Sequence, residues 1–340
     1  MTLLGSGCGR VVGACTAILT CATVVPAAAQ TTTGVTAAAP LPLTVQLFSG
    51  NNQGATSFFD GFGPQKPGFT FLDYLHVNDF TAIHDQHGDD SSRFDRPYIQ
   101  SYTNVFHFSY ASPLKVPGGL LGAEVLVPVV GLVSGAGAAG QSLEGNGTGF
   151  GDVTFGVVYQ AFPTLAGHRP VFDWRFAFDV IGPSGGFDPS KDVNQSSGYW
   201  TLNPYLAMTW LPAPRWELSS RLQYFHNFST DHASNPPSFP GFSFRHGRAG
   251  DAIEANFAGS YAVFEHFSLG LNGFVLTQVQ DNRTNGVAVT DSRTTVLYLG
   301  PGFSTQFGPQ NKLNFNVYVP IVTRNVTSGM QINMQYIHPF

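Results

Sequence analysis

Four stretches of this 340-residue chain repeat with a period of two. Phe172, Trp174, Phe176, Phe178 and Val180 alternate with Asp173, Arg175, Ala177 and Asp179. Trp216, Leu218, Ser220, Leu222 and Tyr224 alternate with Glu217, Ser219, Arg221 and Gln223. Ile253, Ala255, Phe257, Gly259, Tyr261 and Val263 oppose Glu254, Asn256, Ala258 and Ser260. Leu313, Phe315, Val317, Val319 and Ile321 oppose Asn314, Asn316, Tyr318 and Pro320. Successive side chains of a β-strand point to opposite faces, so each stretch reads as a strand with one apolar and one polar face. Slipping the register by one residue would exchange the two faces, which makes the pairing strongly specified.

Composition decides which face looks outward. Charged residues make up 11% of the chain, under half the roughly 25% usual for soluble domains. Phe and Gly are abundant, at 30 and 39 residues, and no mature segment approaches the ~18 consecutive apolar residues of a transmembrane helix. Such a chain suits an antiparallel up-and-down transmembrane β-barrel, whose strands show lipid on one side and a lumen on the other. A lipid-facing Arg or Lys at mid-bilayer costs ~2–4 kcal/mol, and Asp or Glu somewhat less. The face carrying Asp173, Arg175 and Asp179 is therefore expected to line the lumen. The rival is a soluble secreted barrel or sandwich with its apolar faces inward; the scarcity of charge argues against it.

The last stretch extends the pattern. Met330, Ile332, Met334, Tyr336, His338 and Phe340 alternate with Gln331, Asn333, Gln335, Ile337 and Pro339. A terminal strand of this kind, closing on an aromatic residue, is expected to be the one the barrel-assembly machinery engages. At the other end Arg10 precedes an apolar stretch from Val11 to Val25 and the small residues Ala27, Ala28 and Ala29. That is the form of a secretory signal peptide cleaved after about Ala29. A lipoprotein reading through Cys15 is poor, because almost no apolar core lies between Arg10 and that residue. Cys8, Cys15 and Cys21 all fall in this segment, so the mature chain is expected to carry no thiol nucleophile and no thiolate metal site. The net charge of −5 is too small to imply a nucleic-acid partner.

The organisation expected is a signal peptide over 1–29, a lead-in over 30–66 that could plug the barrel mouth, and a barrel over 67–340. About twelve strands follow, or fourteen if the lead-in pairs. Their connections alternate short and long. Pro113–Gly119, Pro163–Arg169, Ala213–Arg215, Glu265–His266 and Gly308–Lys312 read as periplasmic turns. His84–Pro97, Ser134–Gly149, Gly182–Gly198, Thr230–Gly250 and Asp281–Asp291 read as external loops, with Asn325–Ser328 a short external connection. Both termini then lie in the periplasm.

The candidate lumen face comprises Asp173, Arg175, Asp179, Glu217, Arg221, Gln223, Glu254, Asn256, Gln278, Asn314 and Asn316, with Tyr205, Phe225, Phe274, Tyr298 and Tyr318 on the same face. These residues serve either a polar path for solute or a cross-strand ladder that fills the interior and holds it closed. The rings suit stacking on a small aromatic solute, or plain packing. Trp200, Trp210, Trp216, Tyr224, Tyr336 and Phe340 fall near strand ends and read as interfacial anchors in contact with outer-membrane lipid. His84-Asp85-Gln86-His87-Gly88-Asp89-Asp90 gathers metal-ligating side chains but fits no metal motif, and no cofactor site is expected. His232-Ala233-Ser234-Asn235 resembles the His-x-Ser-Asn core of outer-membrane phospholipase A. Here, however, Pro236 replaces the expected Gly and the motif lies in a Pro-rich loop.

Blocks in a fixed order also resemble a family. They are Gly147-Thr148-Gly149-Phe150-Gly151-Asp152, Phe178-Asp179-Val180-Ile181-Gly182-Pro183-Ser184-Gly185-Gly186-Phe187-Asp188 and Gly198-Tyr199-Trp200-Thr201-Leu202-Asn203-Pro204, then Leu269-Gly270-Leu271-Asn272-Gly273-Phe274, Gln278-Val279-Gln280-Asp281 and Leu299-Gly300-Pro301-Gly302. From roughly Pro67 to Phe340 the chain resembles the outer-membrane β-barrel proteins grouped as the meta-pathway phenol-degradation family. The resemblance implies a bacterial outer-membrane channel or facilitator that passes small hydrophobic or aromatic compounds. It carries no catalytic or binding residues with it. A structural barrel with a plugged lumen is the alternative, and a phospholipase a further one.

Overall fold

The computed structural model describes residues 44–47, 53–54, 56–137 and 143–340. The signal peptide, its cleavage point and most of the earlier lead-in lie outside the described residues. Twelve long antiparallel strands form the wall. They are β1 (Gly68–His84), β2 (Tyr98–Val116), β3 (Gly119–Gly135), β4 (Val153–Ala161), β5 (Arg169–Gly182) and β6 (Thr201–Trp210), followed by β7 (Trp216–Asn227), β8 (Ala252–Phe264), β9 (Phe267–Gln278), β10 (Thr295–Phe307), β11 (Asn311–Arg324) and β12 (Val326–Pro339). Each pairs with its neighbours in sequence. β1 also pairs with β12, from Thr70 opposite Pro339 to His84 opposite Val326. The sheet therefore closes, and closure removes every free edge. Two short strands, Thr148–Phe150 and Thr164–Ala166, pair with β3 and β5. A separate small sheet joins Gly247–Arg248, Arg283–Thr284 and Val287–Ala288 in the loops.

Alternation sets the faces as the side-chain period requires. Phe176, Phe178, Leu218, Leu222, Ile253 and Phe257 are exposed on the outer wall, whereas Asp173, Asp179, Glu217, Arg221, Glu254 and Asn256 are buried inside. Hairpins at one end are short: Pro117–Gly118 joins β2 to β3 and Glu265–His266 joins β8 to β9. Gly118 sits there at φ 75°, a conformation glycine adopts without steric cost. Long loops gather at the other end. The connection between β11 and β12 is Asn325 alone, tighter than the four residues expected. Its φ is 51°, and asparagine is among the few side chains that tolerate this region. Below it the β11–β12 ladder pairs Lys312 through Tyr318 with Ile337 through Gln331. Pro320 follows close beyond, and its missing N–H cannot extend a ladder.

The block Leu299-Gly300-Pro301-Gly302 has a packing reason. A Cβ on Gly300 would collide with the Val317 carbonyl, and one on Gly302 with the side chain of Asn316. Only glycine lets β10 lie this close to β11.

Candidate functional site

The interior is divided into a filled half and a hollow half. The filling is the chain itself. Thr44 bonds Thr284 at 2.9 Å, and the Tyr199 hydroxyl donates to the Gln46 carbonyl at 3.0 Å, so this segment starts among the long loops. Further on, Tyr318 Oη and Asn333 Nδ2 donate to the Gly54 carbonyl at 3.0 and 2.9 Å. Ser57 Oγ donates to Asn272 and Asn316, both at 3.2 Å. The Phe59 amide donates to Glu217 Oε1 at 3.0 Å, and the Gly61 amide to Thr209 Oγ1 at 2.8 Å. The segment thus reaches the short-turn end, where β1 begins at Gly68. Its described residues lie in the lumen, and none of them adds a strand to the wall.

Its anchor is Asp60. Arg221 donates to it twice, from Nε at 2.8 Å and from an Nη at 2.6 Å, and Arg175 adds a third bond at 3.2 Å. All three side chains are largely withdrawn from water. A carboxylate held by two planar guanidinium forks is a strong, geometrically demanding contact. The Arg221 guanidinium also lies 4.2 Å over the Tyr205 ring, a cation–π contact that favours charge on that face.

Around this segment the filled half is a dense polar and aromatic pack. Phe274 stacks on Tyr298 with centroids 5.0 Å apart and meets Tyr318 edge-on at 5.4 Å. Phe225 joins the same cluster. Glu217 also accepts from Ser260 at 2.7 Å and from Ser219. Asn256 donates to Glu254 at 2.9 Å, and Asn314 to Gln335 at 2.7 Å. Gln278 donates to Gly250 O and Asn282 while accepting from the Thr294 amide at 2.7 Å, which ties down two loops. Asp173 accepts from the Trp174 amide at 2.8 Å and from Gln65 at 3.2 Å near the short turns.

The hollow half faces β1 to β7 and the long-loop end of β12 and contains a partly open cavity of about 920 Å³. Of the sequence candidates, Asp179, Tyr205, Arg221, Gln223 and Phe225 border it. Its wall is mixed: an apolar stretch with Phe80, Ile99, Val105, Leu126, Pro128, Val130, Leu132 and Ile181 adjoins polar groups such as Asn78, Ser101, Thr103 and Asn203. Its floor is a hydrogen-bonded belt that sequence reasoning did not single out. Tyr74 Oη lies 3.3 Å from His107 Nδ1, His107 Nε2 lies 2.9 Å from Glu124 Oε2, and Tyr205 Oη donates to Glu124 Oε1 at 2.9 Å. The long loops roof the space through Leu143, Val193, Gln195 and His232. A volume of this size suits one small organic molecule, and an apolar stretch of wall beside convergent polar groups is the usual character of such sites.

The aromatics expected as anchors fall in two sets. Trp200 and Tyr224 are exposed near the long-loop end, and Trp210, Trp216 and Phe340 near the short turns, with Tyr336 half-buried beside them. The His84–Asp90 stretch closes on itself: Asp85 Oδ1 accepts from the amides of His87, Gly88 and Asp89 at 2.8 to 3.1 Å. The His87 and Asp89 amides hold its carboxyl below the usual range. Among the described residues no cluster of three or more His, Cys, Asp or Glu side chains could hold a metal ion.

The His-x-Ser-Asn stretch lacks the geometry of a nucleophile and its base. Asn194 Nδ2 donates to Ser234 Oγ at 3.1 Å, while His232 Nδ1 lies 2.9 Å from Asp231. Ser234→Ala is therefore expected to leave phospholipid turnover by the purified protein at background, as in wild type; hydrolysis lost on this substitution would restore the lipase reading.

A family model described as "Putative MetA-pathway of phenol degradation" matches residues 82–336. No curated protein matches the chain by sequence. Among solved structures, the COG4313 outer membrane channel from Pseudomonas putida F1 superposes with a TM-score of 0.69 at 14% identity, covering 83% of this chain and 98% of that one. The Ralstonia pickettii toluene transporter TbuX aligns at TM-score 0.39 and 12% identity, over 81% of this chain and 90% of that one. The β domain of the Bordetella autotransporter BrkA aligns at 0.43 and 11%, over 81% and 100%.

Proposed function

The chain belongs to the family described as "Putative MetA-pathway of phenol degradation", and from that premise we propose that it is a bacterial outer-membrane channel for small hydrophobic or aromatic compounds. The observation that carries this reading is a cavity of about 920 Å³, with a continuous apolar stretch in its wall, inside a closed barrel. A hydrophobic solute gains by leaving water for such a stretch at roughly 25 cal/mol per Å² of apolar surface buried, with no cofactor and no energy source. The loops would admit solute from outside, and the short turns would face the periplasm, as single-chain bacterial barrels are built. The strand ending at Phe340 would present itself to the assembly machinery. Residues 30–66, whose described part lies in the lumen, would act as the plug.

A second reading, a surface barrel without transport, draws on one observation: Asp60 is clamped by Arg175 and Arg221, so the luminal segment is firmly held. Uptake separates the two. Cells lacking the protein and cells expressing it would be compared for entry of labelled toluene. Faster entry on expression is expected; equal rates would leave the plugged barrel standing.

A further inference from the structure

We infer that the outer face of β1 and β2 is covered by a second copy of this chain, related by a two-fold axis along the membrane normal. The inference rests on the barrel wall alone and is independent of transport. Tyr74, His76, Asn78 and Phe80 border the cavity, so alternation turns Asp73 and Asp79 to the outside. Their neighbours across the ladder agree. Phe106 lies directly opposite Asp73 and Met330 opposite Asp79, and both are exposed on the wall. The two carboxyls stand well inside β1, which runs from Gly68 to His84. About nine to eleven residues of tilted strand cross the hydrocarbon, and a window of that length centred on β1 holds both acids. Among the described residues no other strand sets an acid or a base on its outer face away from its ends.

A carboxylate turned toward lipid is destabilising, and ionisable groups inside a membrane are as a rule paired. Part of the pairing is already made. Asn104 Nδ2 donates to Asp73 Oδ1 at 2.6 Å, and Gln100 Nε2 donates to Asp79 Oδ1 at 3.0 Å. Neutral amides soften the charge without cancelling it, and each pair keeps capacity in hand. A carboxylate has a second oxygen to accept with, and a carboxamide nitrogen a second hydrogen to donate. Lipid tails can use neither.

The same surface turned round can use both. Copies inserted in one orientation can share only a two-fold axis that runs along the membrane normal, and such an interface must be self-complementary. With the axis between β1 and β2, the β1 of one copy faces the β2 of the other at equal depth. Asp79 then meets the partner's Gln100 and Asp73 the partner's Asn104, so like carboxylates are not set face to face. Reciprocal hydrogen bonds form at both depths. Tyr102, Phe106, Phe108 and Met330, exposed around the polar pairs, supply apolar contact. An anionic lipid headgroup would meet like charge here, and a strongly basic partner would leave the amide hydrogens idle.

Cross-linking in cells would test the contact. Tyr102→Cys on β2 and Leu271→Cys on β9, both exposed and on distant parts of the ring, would be treated with a short bifunctional maleimide, with the unsubstituted chain as blank. A species of twice the mass is expected from Tyr102→Cys and not from Leu271→Cys. Energy transfer between labelled full-length copies in phosphatidylethanolamine vesicles, at varied protein-to-lipid ratio, would give the dissociation constant. Replacing both acids, Asp73→Leu with Asp79→Leu, should raise it at least about ten-fold, the scale of losing several hydrogen bonds inside a membrane. That variant should keep the heat-modifiable gel shift of a folded barrel, since it makes the wall more apolar. Equal cross-linking at both positions, a cross-link only to a protein of another mass, or unchanged association of the double variant would overturn the inference.

Discussion

Asp60→Ala is expected to turn a closed lumen into a conducting one. The substitution removes the carboxylate that Arg175 and Arg221 clamp. Breaking a buried ion pair by deleting one partner costs about 3–5 kcal/mol, because the remaining charges are left uncompensated. The neutral bonds that also hold the segment, such as Gly61 to Thr209 and Ser57 to Asn272 and Asn316, are worth only about 0.5–1.5 kcal/mol each. The anchor therefore dominates locally. Single-channel recordings in planar bilayers should show conductance rising several-fold over wild type, and residues 53–66 should become accessible to added protease. Unchanged conductance with a protected segment would mean that the neutral contacts suffice.

Phe257→Arg is expected to have the largest effect on the barrel itself. Phe257 lies midway along β8 and points outward. A cation there should cost ~2–4 kcal/mol of folding free energy, whereas Val263→Arg, near the short-turn end of the same strand and on the same face, should cost only ~0–1 kcal/mol. Urea unfolding in lipid vesicles, read with the heat-modifiable gel shift of folded barrels, would compare the two. Similar losses at both depths would mean that the outer wall does not sit in hydrocarbon.

The polar faces of β5, β7, β8 and β11 were legible because each sets charges or amides against large apolar groups. The aromatic rings of Phe274, Tyr298 and Tyr318 were legible as inward-facing, but their mutual stacking was not. The apolar part of the hollow half was not legible. In β3, Leu126, Pro128, Val130 and Leu132 line the cavity while Leu121 and Val133 are exposed outside, so both faces are apolar and the polarity contrast vanishes. Glu124 is a lone acid in that run, and nothing in its neighbourhood marks it as half of a belt with His107 and Tyr205. A lumen face read from alternating polar residues therefore leaves out this apolar stretch of wall.

Asp60 shows the same limit more sharply. It sits in a stretch without periodicity, and its partners lie 115 and 161 residues further along the chain. What the sequence determined by itself is the wall: alternation is a local steric property of each strand, and a charge turned toward lipid would be too costly to tolerate, so register and outward face are fixed strand by strand. What only the tertiary structure decided is the contents of the lumen. Closing twelve strands into a ring brings distant side chains to within hydrogen-bond reach, and it is that distance, which no local pattern encodes, that separates the filled half from the empty one.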